Sequence, residues 1–182
     1  RLLCCDDPKE AEAMAESLDE LNKERRRVES KIQRAAEKQA VEDGCTDPLV
    51  AAAGEGWHQG VLGIVAGRLK SKYKRAAICI SFDADGVGKG SCRSIAGFNI
   101  GEAVGDAKSE GLVVEGGGHA MAAGITVLHE KYTAFLNFLT ERAAEALLTA
   151  PDPDVLEFDG AVSAGGIGAP LVAGLEALEP YG

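Results

Sequence analysis

The spacing of apolar residues predicts a long helix at the start of the chain. Residues 9–43 are rich in strong helix formers and contain no proline. Their apolar side chains recur three or four residues apart, as one face of a helix requires, at Met14, Leu18, Leu21, Val28 and Ile32. Pro8 suits a first helical turn and Gly44 a C-terminal cap. The narrow stripe is suited to packing on one domain while the helix connects it to another.

Downstream of this helix, apolar runs typical of strands alternate with helical periodicity. The pattern predicts a helix over 60–73, a buried strand over 76–82, a glycine-interrupted strand over 86–94, a helix over 98–111, a glycine turn, a strand ending near Leu128 and a helix over 130–149. A linker at 149–154, a strand in "VLEFDGAVS" and a short helix in "APLVAGLEALEP" follow. Strands that alternate with helices indicate an α/β fold.

Composition narrows the class of protein. The chain is 46% hydrophobic and 26% charged, which is typical of a globular protein, and no apolar run approaches the roughly 20 residues that span a bilayer. The five cysteines include no C-x-x-C pair, so neither a disulfide framework nor a zinc site is predicted. We therefore expect a reduced, cytoplasmic setting without a membrane. Because the sequence opens on Arg1 rather than Met, we also expect a fragment of a longer protein.

The charge of the chain is unevenly distributed. The formal net charge is −10, yet residues 61–95 contain seven basic and two acidic residues. Arg68 and Lys72 belong to this basic stretch. A solvated helix face is the interpretation that the charge pattern itself favours.

The stretch "GVGKGSCRS" predicts a phosphate-binding strand. Alternate residues of a strand face the same way, so Lys89, Ser91 and Arg93 share one face and offer an ammonium, a hydroxyl and a guanidinium. These groups suit phosphate, and glycines at 86, 88 and 90 would let a bulky ligand approach the backbone. Cys92 would then point to the opposite side. An ordinary polar surface strand is the alternative.

The stretch "EGGGHAMAAGITV" contains three glycines followed by a histidine. As a turn, Gly117 and Gly118 could aim successive backbone N–H groups at an anion, and His119 could donate to a phosphate oxygen or act as an acid or base. A histidine held by structural hydrogen bonds is the alternative. No histidine has metal-ligand spacing to other ligands, so no metal site is predicted in this chain.

Three motifs, "GWHQGVLGIVAGRL", "GKGSCRS" and "EGGGHAMAAGITV", resemble in order and spacing the DHH-associated domain of the RecJ family, the single-strand-specific 5′→3′ DNA exonucleases of the DHH phosphoesterase superfamily. "LNKERRRVESKIQ" resembles the family's connecting helix, and the tail from residue 154 resembles the opening of its OB-fold domain. The resemblance implies a connecting helix over 1–47, a DHH-associated substrate-binding domain over 48–150 and the truncated start of an OB-fold over 151–182.

The resemblance also implies roles for particular residues. Ser91 and Arg93 would hold the 5′ phosphate, Lys89 would add charge, and Gly117, Gly118 and His119 would contact the scissile phosphate without binding metal. Arg68 and Lys72 would follow the backbone of single-stranded DNA.

The implied parent enzyme is a hydrolase used in DNA repair and recombination, with unknown repair partners. Its Mn²⁺ or Mg²⁺ ligands would lie in an N-terminal Asp-His-His domain that is absent here, so this chain alone is expected to be inactive. A phosphoesterase for nanoRNA or small nucleotides, and a non-catalytic RNA-binding tail domain, are the alternatives. An upstream Asp-His-His domain in the parent gene would separate them.

Overall fold

The structure is a computed structural model that describes residues 2–42, 48–148, 155, 158 and 160–178. In chain order its elements are α1 (Pro8–Glu42), β1 (Leu49–Glu55), α2 (Gln59–Tyr73), β2 (Ala76–Phe82), β3 (Val87–Arg93), α3 (Ile100–Ser109), β4 (Glu115–His119), β5 (Ala122–Leu128), α4 (Tyr132–Leu147) and α5 (Ala169–Glu176). Short 3-10 turns lie at Leu2–Cys4, His129–Lys131 and Ala164–Gly166. The predicted α/β fold with a long N-terminal helix is confirmed.

One mixed sheet organises the fold, with strand order β1-β2-β3-β5-β4. Strands β1 and β2 are parallel and are connected through α2, whereas β2–β3, β3–β5 and β5–β4 are antiparallel. Helices α1 and α2 pack on one side of this sheet, and α3 and α4 pack on the other.

Strand β2 separates two apolar cores, and every one of its residues is buried. Ile78 and Ile80 point into the core shared with α3 and α4. Ala77 and Cys79 alternate with them and point towards α1 and α2. This explains why the sequence of β2 is apolar except for the buried Ser81, since a strand covered on both faces has no position for a solvated side chain.

The second half of α1 is fixed to the sheet by polar as well as apolar contacts. Ile32, Ala36 and Ala40 are buried against α2 and β1. The Gln39 amide accepts a hydrogen bond from the Ala53 N–H at 3.0 Å and donates one to the Ala53 carbonyl at 2.7 Å. Because β1 is an edge strand, this amide satisfies backbone groups that no neighbouring strand reaches.

Two features of the sheet differ from the prediction. Strand β1 was not predicted, because "LVAAAGE" is composed mainly of small residues, with Val50 as its one β-branched residue and no aromatic side chain to mark a strand. The predicted glycine turn is wrong, because Glu115–His119 forms the edge strand β4, paired in register with β5. A Cβ at Gly118 would lie 2.2 Å from the Ala122 carbonyl oxygen, and one at Gly116 would lie 2.6 Å from Val104. These two glycines therefore permit close packing.

The C-terminal segment contains the predicted short helix, α5, none of whose residues is buried. The strand predicted in "VLEFDGAVS" is not found in described residues 155, 158 and 160–163, and the rest of that stretch lies outside the described residues. The truncated OB-fold and the three domain boundaries remain predictions.

Candidate phosphate-binding site

Strands β3, β5 and β4 lie side by side, and their register brings alternate residues of all three to one face. Three rows cross the strands: Lys89–Thr126–Glu115, Ser91–Gly124–Gly117 and Arg93–Ala122–His119. We call these nine residues the polar face. It lies on the side of the sheet that carries α2, because Ser91 pairs with Cys79, whose side chain packs among the residues of α2.

The Arg93 guanidinium is held in place and lacks a counter-charge. Its Nη1 donates to Ser91 Oγ at 2.9 Å and to the Cys92 carbonyl at 2.8 Å. Within the part of the chain that the structure describes, no carboxylate forms an ion pair with it. Helix α2 lies directly against it, since a Cβ added at Gly63 would be 2.6 Å from Nη2. The result is an oriented cation with Nε and Nη2 left to donate to an anion.

A cavity of about 290 Å³ opens beside Ser91, between the start of α2 and the polar face. Gln59, Lys89, Ser91, Gly117 and Gly124 are among the residues that line it. Gln59 is the first residue of α2, so the positive end of the helix dipole also faces this cavity.

The one carboxylate lining the cavity is already neutralised. Glu115 Oε2 pairs with Lys108 Nζ of α3 at 2.7 Å. Lys89 is exposed and forms no ion pair among the described residues. The cavity therefore has a local excess of positive charge in a chain whose net charge is negative.

His119 lies at the end of β4 on the polar face. Its Nδ1 accepts a hydrogen bond from the Met121 N–H at 3.3 Å, which leaves the exposed Nε2 able to donate to a ligand. Gly117 shares this face, but Gly118 alternates with it and faces the opposite side. The expected concavity of backbone N–H groups is not formed, because β4 is extended and none of its glycines has a positive φ.

Arg68 and Lys72 are engaged by acidic side chains of α1. Arg68 pairs with the buried Glu29, which also accepts from Arg25 at 2.6 Å, and Lys72 pairs with Glu37 at 2.8 Å. The Gln33 amide and then Lys72 lower the pKa of Glu37. These ion pairs join α1 to α2, and the assignment of Arg68 and Lys72 to the DNA backbone stays a prediction.

The structure adds three residues that sequence reasoning missed. Gln59, Gly124 and Thr126 line the cavity together with the predicted Lys89 and Ser91. Gly124 and Thr126 are alternate residues of β5 and therefore share one face of the sheet. This alternation is visible in the sequence, but it indicates a place beside Ser91 and Lys89 only when the pairing of β5 with β3 and β4 is known. His58 instead caps α2, accepting from the Gly60 N–H at 3.1 Å.

Among the described residues, no group of three or more His, Cys, Asp or Glu side chains could hold a metal ion. No described helix combines the length and the apolar character that crossing a bilayer requires.

Comparison with known proteins identifies the family. The DHHA1 domain matches residues 46–145, and the chain belongs to this family. The chain is 35% identical to the single-stranded-DNA-specific exonuclease RecJ of Bacillus subtilis over 182 residues, which is the whole of this chain and 23% of the relative. The chain thus spans about a quarter of the length of that relative.

Solved structures give the same picture. The crystal structure of RecJ from Thermus thermophilus in complex with Mg²⁺ matches the whole chain with a TM-score of 0.71 at 29% identity, over 27% of its own length. A crystal structure of exonuclease RecJ bound to manganese matches 85% of the chain with a TM-score of 0.67 at 31% identity, over 37% of its length. The candidate site therefore lies within a DHHA1 domain whose fold is similar to part of these RecJ structures.

Proposed function

We propose that this chain is the substrate-binding part of a single-strand-specific 5′→3′ DNA exonuclease. In this proposal Ser91 and Arg93 bind the 5′ phosphate, Lys89 adds attraction, and His119 with Gly117 contacts a following phosphate. Hydrolysis of the phosphodiester requires Mn²⁺ or Mg²⁺ held by a different part of the parent protein. We further propose that the parent enzyme acts in the cytoplasm in DNA repair and recombination.

The observation that carries the proposal is the guanidinium of Arg93, which is oriented beside the Ser91 hydroxyl and forms no ion pair among the described residues. A guanidinium held in one orientation with N–H donors still free suits an anion, and a phosphate offers the acceptors that its planar fork requires. Relatives named single-stranded-DNA-specific exonucleases support a nucleic-acid phosphate as that anion. Similar structures that contain Mg²⁺ or manganese support a divalent metal for cleavage.

The decisive variant is Arg93→Ala, tested by titrating labelled single-stranded oligonucleotides with and without a 5′ phosphate. Loss of a hydrogen-bonded contact to a charged group costs roughly 1.5–3 kcal/mol, so affinity for the phosphorylated strand should fall about tenfold or more. The preference for a 5′ phosphate over a 5′ hydroxyl should largely disappear, because the hydroxyl-ended strand never used this contact.

The matched control is Arg26→Ala, which removes the same charge from an exposed position on α1. It should change binding slightly and leave the end preference intact. If Arg93→Ala retains the full preference for a 5′ phosphate, the assignment of this pocket is wrong.

A further inference from the structure

The glycines of β3, β4 and β5 fall into two groups according to what an added side chain would meet. A Cβ at Gly88 would lie 2.5 Å from Phe82, and one at Gly90 would lie 2.8 Å from Ile80. Together with Gly116 and Gly118, these positions need glycine because the core or a neighbouring strand leaves no room. A Cβ at Gly117 or Gly124 would meet nothing within 4 Å.

Neither Gly117 nor Gly124 is required by the backbone, since neither has a positive φ. Glycine weakens a strand because it has more freedom to lose on folding and no side chain to pack. Both positions therefore carry a cost that the packing of this chain does not explain. Close approach of a ligand to the backbone is one reason for a glycine in a strand.

The placement of the two glycines indicates which ligand approaches. Gly124 is the register partner of Ser91 on one side and of Gly117 on the other. Because neighbouring strands are about 4.8 Å apart, the backbone of Gly124 and Gly117 forms a surface without side chains that extends about 10 Å from Ser91 to the outer edge of β4. We call this surface the floor. The rows that begin at Lys89 and Arg93 flank it. A flat surface without side chains thus leads directly away from the proposed 5′-phosphate pocket.

We propose that Gly124, together with Gly117, seats the sugar of the terminal nucleotide against the bare backbone, and that Gly124 is a specificity-determining residue. The sugar is the unit that joins two successive phosphates, one at Ser91 and Arg93 and the next towards Gly117 and His119. This inference rests on the proposed function. It adds the requirement that the ligand be a nucleotide strand rather than any phosphorylated group, because inorganic phosphate would not touch the floor.

The test uses Gly124→Ala and Gly124→Val in the full chain. Both substitutions remove the flexibility of glycine, and valine favours strands, so the melting temperature should stay the same or rise. Affinity for a 5′-phosphorylated single strand should fall severalfold with alanine and at least tenfold with valine. Binding of inorganic phosphate, followed by the NMR shifts of the Ser91 and Arg93 amides, should not change.

Gly105→Ala is the matched control, because Gly105 lies on α3, on the other side of the sheet, and a Cβ there also meets nothing within 4 Å. It should leave oligonucleotide affinity unchanged.

If Gly124→Val binds the oligonucleotide like the wild type while Arg93→Ala does not, the floor is refuted and the phosphate pocket stands. If Gly124→Val lowers the melting temperature and abolishes phosphate binding as well, Gly124 is structural and the inference fails. If Arg93→Ala also leaves binding intact, both proposals fail.

Discussion

Substitution of Gly63 by alanine tests whether the backbone of α2 positions the Arg93 guanidinium, for which we propose phosphate binding. Gly63 lies in the interior of α2. A new Cβ would lie 2.6 Å from Arg93 Nη2 and 3.1 Å from Ser91 Oγ. Both atoms are ends of side chains, and the long arginine side chain can rotate more easily than a packed helix can shift. The added methyl should therefore displace Arg93 and leave α2 in place.

Two opposing terms set the effect on stability. Alanine is favoured over glycine in a helix interior by about 1 kcal/mol. Displacing the guanidinium removes its hydrogen bonds to Ser91 Oγ at 2.9 Å and to the Cys92 carbonyl at 2.8 Å, and bonds of this kind contribute about 1 kcal/mol each. The free energy of unfolding should therefore fall by no more than about 1 kcal/mol. Binding should suffer much more, because a displaced Arg93 loses most of its phosphate contact, and we expect affinity for a 5′-phosphorylated strand to fall about tenfold.

The assay combines urea unfolding with oligonucleotide titration for Gly63→Ala and for Gly67→Ala. Gly67 lies one turn further along the same helix, and a Cβ there meets nothing within 4 Å. The control should gain stability of up to about 1 kcal/mol and keep the 5′-phosphate preference. Full retention of that preference in Gly63→Ala would refute the idea that α2 holds the guanidinium in its binding position.

Two further predictions concern titratable groups. The hydrogen bond from Gln33, and to a smaller extent that from Lys72, lowers the folded-state pKa of Glu37 below its ordinary value of 4.5. The contribution of Glu37 to stability is therefore present above pH 4.5 and is lost as the pH falls through the folded-state pKa. The difference in urea midpoint between wild type and Glu37→Gln should therefore shrink in acid, and a difference that persists unchanged there would contradict the assignment. Burial raises the pKa of Cys79 and Cys92 to about 12. Iodoacetamide at neutral pH should therefore label the exposed Cys4, but it should label neither buried cysteine until the protein is unfolded. Mass spectrometry that finds Cys79 labelled in the folded chain would disprove this.

The elements with a strong pattern were predictable from the sequence. Strand β2 is almost entirely apolar because both its faces are covered. Helix α3 has its predicted N-cap, with Asn99 Oδ1 accepting from the Glu102 N–H at 3.2 Å. Strands β1 and β4 were not predictable in the same way. Alanine and glycine carry almost no strand preference of their own, and these segments become strands because neighbouring strands and helices pack closely on them.

The candidate site was predictable within one strand and not across strands. Alternation along β3 places Lys89, Ser91 and Arg93 on one face, and Cys92 is buried on the other, as expected. The contribution of Gly124 depends on the register of β5 against β3, which no local pattern encodes. For the same reason, the "GGGH" motif predicted the wrong backbone conformation, because the pairing of β4 with β5 makes this segment a strand.

Charge pattern alone also could not distinguish the basic residues that form ion pairs from those that do not, and this distinction bears on the proposed binding of DNA. Arg68 and Lys72 are compensated by carboxylates of α1, whereas Lys89 and Arg93 form no ion pairs among the described residues. At physiological ionic strength the Debye length is about 8 Å. The net charge of −10 is therefore largely screened beyond the pocket, while a phosphate in contact with Arg93 is not. Binding should accordingly depend on contacts with the strand end rather than on long-range attraction to its backbone.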